Sequence, residues 1–146
     1  MSIKSDIATA IKTKLEELVP TDVKLVIFEK VRLHSDDFLD HELPAIQLFD
    51  GSETVIHDRG RANKAWTIHL EILMKSSEQG IVKQTDLWDL QFIVERKLWE
   101  KPNLGIAGMQ HLRYLGSVTD LHMLEPIFMC RMDFEALYFQ PLTSSC

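Results

Sequence analysis

Ile3, Ile7, Ile11, Leu15 and Leu18 recur at spacings of four and three, which draws one apolar stripe along a helix over residues 3–18. Lys4, Lys12, Lys14, Glu16 and Glu17 fall mostly on the other side. Ser2 or Ser5 caps its start, and Pro20 closes it. Past Pro20 the pattern changes. Residues 23–33, VKLVIFEKVRL, are rich in β-branched side chains and read as a first strand. A polar loop, HSDDFLDHE, then runs into LPAIQLFD, a second strand with Pro44 at its mouth. A proline there removes a ladder donor, so it belongs at a strand's first residues or on an edge. An exposed edge is a liability unless something covers it, and another copy of the chain is one such cover.

Asp50-Gly51 is a turn dipeptide, so SETVIHD is expected as a separate third strand, ending in a hairpin tip at Arg59-Gly60-Arg61. KAWTIHLEILMK alternates cleanly, with Trp66, Ile68, Leu70 and Ile72 facing one way and Thr67, His69 and Glu71 the other. Residues 79–101 form a second helix, for which Thr85 and Asp86 offer a later, interior start. Leu87, Leu90, Val94 and Leu98 make its core stripe. Trp88, Phe92 and Trp99 make a second, aromatic stripe beside it. Either the core is wide enough to bury both, or the aromatic stripe is a contact surface.

Lys101-Pro102-Asn103 breaks the helix, and NLGIAGM follows as a small loop. Two long strands, HLRYLGSVTDLHM and PIFMCRMDFEALYF, finish the chain around a turn at Leu124-Glu125-Pro126. In the last strand Phe128, Cys130, Met132, Phe134, Ala136 and Tyr138 share one face, and Arg131, Asp133 and Glu135 the other. The order predicts a single α+β domain over residues 1–146, with two main helices packed on a mostly antiparallel sheet.

Composition supports an ordinary folded domain. The 146 residues are 45% hydrophobic and 26% charged, enough for a real core. The net charge of -6 argues against a dedicated nucleic-acid binder, which would carry a basic face. Neither Cys130 nor the final Cys146 sits in a CxxC pair, so no zinc knuckle or disulfide framework is suggested. MSIKSDIATAIKTK has no apolar core of a secretion signal, and no run approaches a membrane span, so synthesis in the cytosol of the producing cell is expected.

Phosphate-cradle and nucleophile-elbow patterns are missing from the sequence. The segment from His34 to Glu42 gathers acidic groups that a divalent cation accepts, but it lacks calcium-loop spacing and a glycine, and a solvated acidic loop explains it. A small metal-dependent hydrolase centred on Asp36, Asp37, His41 or His69 is the enzymatic alternative. His69 and Glu71, two apart on one strand face, have the form of an acid–base pair with no third partner. A non-enzymatic protein with no cofactor or metal is the expectation.

The ordered set of features resembles the tail terminator proteins of long-tailed bacteriophages, also called tail completion or minor tail proteins. The carrying residues are the opening amphipathic helix, the ELPAI strand (Glu42 to Ile46), and the hairpin into a long alternating strand. With them go the P-x-L-G loop (Pro102, Leu104 and Gly105), the acidic-proline turn Glu125-Pro126 and the aromatic DFEALYF ending. Phe134-Glu135-Ala136-Leu137-Tyr138 only approximates the family's F-x-V-x-Y ending.

The resemblance implies a structural virion protein that forms a six-fold ring on the head-proximal end of the tail tube. Such a ring stops tube polymerisation and offers a surface to the head–tail connector protein, while DNA passes through its lumen without specific binding. Its partners are further copies of itself, the tail tube protein and the connector. Another head–tail connector or head-closure ring is the alternative within the same setting. The residues expected at the subunit or tube interface are Trp88, Phe92 and Trp99 for packing, Arg59, Arg61 and Lys64 for polar contact, and Pro44 at the strand mouth.

Overall fold

In the computed structural model, the structure describes residues 2–28, 39–58, 60–75, 84–120 and 127–141. Helix α1 spans Ile3–Glu16 and helix α2 spans Gln84–Trp99. The strands are β1 (Leu25–Ile27), β2 (Ala45–Asp58), β3 (Arg61–Lys75), β4 (Met109–Asp120) and β5 (Ile127–Pro141). They form one sheet in the order β1-β2-β3-β5-β4. All pairings are antiparallel except that of β1 with β2.

The predicted α+β architecture is the one observed. Ser2 caps α1, its hydroxyl oxygen accepting from the Ser5 N–H at 3.1 Å. Ile7, Ile11 and Leu15 of α1 and Leu87, Leu90, Val94 and Leu98 of α2 are buried against one face of the sheet. That face supplies Ile46, Leu48, Trp66, Ile68, Leu70, Ile72, Cys130, Met132, Phe134 and Ala136. Tyr114 and Phe134 stack with centroids 5.1 Å apart. The two helices are tied at the surface by Lys14–Glu100 at 3.0 Å and Lys97–Glu17 at 3.3 Å. Exposed pairs of this kind add little stability, so the apolar face decides the packing.

Three expectations need correction. Asp50-Gly51 is not a turn. It lies inside the continuous strand β2, which pairs with β3 from Ala45 to Asp58 and carries a bulge between Asp50 and Glu53. The extra residue has a consequence for facing: Asp50 lies opposite Ile68, yet Glu53, three residues on, lies opposite Trp66. The alternation is therefore reversed beyond the bulge, and Ile56 turns to the face away from the helices.

Glycine is required at this site by close approach. A Cβ on Gly51 would overlap the Thr67 carbonyl oxygen and come within 3.0 Å of His69 Nε2. Asp50 is held by the Trp66 indole N–H, which donates to its Oδ1 at 2.6 Å, and by Lys4 at 3.4 Å.

The second correction concerns the first strand, expected over 23–33. Its ladder covers Leu25–Ile27 and runs parallel to β2, while residues 29–33 lie outside the described residues. The third follows from it. Pro44 does not open an uncovered edge, because its carbonyl oxygen accepts from the Lys24 N–H at 2.8 Å and β1 flanks Ala45–Gln47. The chain itself covers the strand mouth. Among the described residues, the open edges are the outer side of β1, the part of β2 beyond β1 and the outer side of β4.

Replacing Gly51 with alanine pushes a methyl group into the β3 backbone. The expected cost is roughly 1–3 kcal/mol, measured by urea denaturation, and an unchanged midpoint would contradict the close approach at the bulge.

Candidate interaction surfaces

The helices cover one face of the sheet, and the other face divides into three zones along its length. Near β1, Leu43, Ala45, Leu73 and Ile127 form a small buried apolar cluster. In the middle lies a charged network. His69 Nδ1 donates to Asp133 Oδ1 at 2.6 Å, and the Arg131 guanidinium forms an ion pair with the same carboxylate oxygen, Nε lying 3.1 Å away. Beside it, the fully buried Gln47 amide lies 3.5 Å from Glu71 Oε1, and Arg113 pairs with Glu135 at 2.6 Å.

Register explains the network. His69 is directly opposite Asp133, and Glu71 opposite Arg131, in the β3–β5 ladder. The sequence pairing of His69 with Glu71 by proximity therefore missed the true partner, which a strand 64 residues away supplies. Burial pushes the Glu71 carboxyl above the ordinary carboxylate range, against the lowering pull of the Gln47 hydrogen bond and the Arg131 charge.

At the far end of this face, the β2–β3 hairpin and β5 form an open groove of about 400 Å³. Its apolar floor is Ile56, Ala65, Leu137 and Phe139. Arg61 lies over the Phe139 ring at 4.2 Å and makes no ion pair among the described residues. Asn63 in the wall has an amide oxygen sealed from water with no donor. Ile56 is 68% exposed.

The predicted basic knob is only partly assembled. Arg59 lies outside the described residues, and Lys64, three positions from Arg61 on the same strand, faces the helix side. There Lys64 Nζ donates to Gln140 Oε1 at 2.8 Å and sits 3.8 Å from Glu53. Glu53 also accepts from the Tyr138 hydroxyl at 2.8 Å, and burial and that neighbour together push the phenol well above its ordinary range.

The aromatic stripe of α2 lies outside the core. Trp88, Phe92 and Trp99 are 55%, 57% and 56% exposed, whereas the neighbouring leucine stripe is buried. The core thus does not extend to both stripes. Glu95 sits within the aromatic stripe, and neither it nor Asp89 has an ion pair among the described residues. Arg96 lies 5.6 Å from the Phe92 ring centroid.

Among the described residues no group of three or more His, Cys, Asp or Glu is placed to hold an ion. Asp36 and Asp37 lie outside the described residues. The buried Cys130 thiol is raised by desolvation and contacts the Gln91 amide of α2. No helix among the described residues is long and apolar enough to cross a membrane.

No protein-family model matches the chain, and no curated protein matches it in sequence. Among solved structures, it is similar to a chain from the virion of a native gene transfer agent particle. That likeness has a TM-score of 0.63 at 13% identity, over 95% of this chain and 98% of the other. At this identity the two share a fold from end to end.

Glu71 yields a pH prediction. Its folded-state pKa is raised, so stability present below the ordinary range near 4.5 is lost as pH rises through the folded value. Glu71→Gln is expected to melt at a higher temperature than the parent at neutral pH, with the gap closing as pH falls below that range. Thermal melts across pH measure this, and a gap that widens in acid would contradict it.

Proposed function

We propose that this protein is a structural component of a phage-like virion, acting as the tail terminator. It forms a six-fold ring that caps the head-proximal end of the tail tube, stops tube growth and presents a surface to the head–tail connector. The observation that carries the virion reading is the end-to-end fold likeness to a chain of a gene transfer agent virion. The finer assignment to the terminator rests on the sequence features named above: the ELPAI strand, the P-x-L-G loop, the acidic-proline turn and the aromatic ending.

The physical character of the surface supports a protein that works by contact. An exposed aromatic stripe of three large rings is costly to leave in water and suits a partner face. A ring requires two different surfaces on each copy, because a head-to-tail interface that closes by rotation is heterologous. The net charge of -6 suits a lumen through which DNA passes without being held by counterion release. The contacts of the proposed ring use no catalytic group, metal or cofactor.

The direct test adds purified protein to growing tail tubes made from the cognate tube protein. The expected outcome is binding at one tube end and arrest of elongation. Binding to filled heads and not to tubes would instead assign a head-closure ring, and binding to neither would sink both readings. Reversing Arg59 and Arg61 to glutamate is expected to leave the melting temperature unchanged. It should weaken capping about tenfold, equivalent to ~1.4 kcal/mol; undiminished capping would remove the hairpin from the working surface.

A further inference from the structure

Two exposed surfaces on this chain are complementary, and they lie on opposite sides of the molecule. One is the groove at the hairpin end of the uncovered sheet face, with an apolar floor of Ile56, Leu137 and Phe139 and, at its rim, Arg61, which makes no ion pair among the described residues. The other is the outer stripe of α2, where Trp88, Phe92 and Trp99 lie on one helix face with Glu95, which makes no ion pair among the described residues. The groove offers an apolar concavity and a cation with no ion pair among the described residues. The stripe offers large rings and an anion with no ion pair among the described residues. Rings buried in a partner's pocket with a charge at the rim are the usual anchors of a protein interface.

We infer that the occupant of the groove is the α2 aromatic stripe of a second copy of this chain, with Arg61 of one copy meeting Glu95 of the next. This deepens the ring reading of the preceding subsection by naming the two halves of its subunit contact. A second copy fits because Arg61 on one surface and Glu95 on the other, neither with an ion pair among the described residues, sit within apolar patches of opposite shape. Symmetry adds to it. Groove and stripe cannot meet within one molecule, because the sheet and its core stand between them. Each copy therefore uses one surface and presents the other, which generates a head-to-tail series.

The test uses two variants at exposed positions, Ile56→Glu to block the groove and Phe92→Glu to block the stripe. Arg61→Glu and Trp88→Ser form a second pair, and thermal melts check that all four remain folded. Light scattering after size exclusion reads the mass of each variant alone and of equimolar mixtures. The parent is expected to self-associate, and each variant alone to be a monomer. The mixture is expected to form a 1:1 pair and nothing larger, because it holds one intact groove and one intact stripe per two chains.

A mixture that stays monomeric overturns the inference. So does either variant that forms a symmetric dimer alone, or a parent that stays monomeric at the highest soluble concentration. The outcome is separable from the ring's role on a tube. Capping by the parent with no pairing in the mixture removes this contact and leaves the terminator reading. Pairing without capping keeps the contact and removes that reading.

Discussion

The structure depends on strand β3, which is hydrogen-bonded along nearly its whole length to β2 on one side and β5 on the other. Its alternation sets two unlike faces. Trp66, Ile68, Leu70 and Ile72 go under the helices, while Thr67, His69 and Glu71 go to the face the helices leave open. A one-residue slip in this ladder would exchange those faces, so the buried side fixes the register. Once the register is fixed, the polar partners follow, and His69 meets Asp133 as a matter of position.

A one-sided sheet has consequences for the helices as well. Each needs one stripe to seal the core, and α2 carries two. With Leu87, Leu90, Val94 and Leu98 already fully engaged, the aromatic stripe is surplus to folding and remains in solvent. The bulge at Asp50–Glu53 adds a second surplus. By reversing the alternation of β2 it places Ile56 on the open face, beside Leu137 and Phe139, instead of under the helix layer. Both exposed apolar patches thus arise from identifiable local devices and not from poor core filling.

Most of the architecture was legible because its signals were periodic. The stripe of α1 and the alternation of β3 and β5 gave the right elements, and the leucine stripe of α2 gave the right buried face. What failed was local chemistry with two structural uses. Asp50-Gly51 is a turn dipeptide, but glycine also suits a bulge where two backbones crowd, and sequence alone does not separate these. Pro44 marked a strand start correctly, yet the cover came from the three-residue strand β1, too short to announce its parallel pairing. The grouping of Lys64 with Arg61 ignored strand parity, which sends them to opposite faces. The groove itself, built from β2, β3 and β5 through a bulge, has no linear signature.

The central claim is that the groove and the aromatic stripe are two halves of a repeating contact that closes into a ring. Negative-stain electron microscopy of the purified protein at rising concentration tests it most directly. Closed six-fold rings with an open centre, in which every copy is equivalent, are the expected result. Two-fold dimers or monomers throughout the series would contradict it.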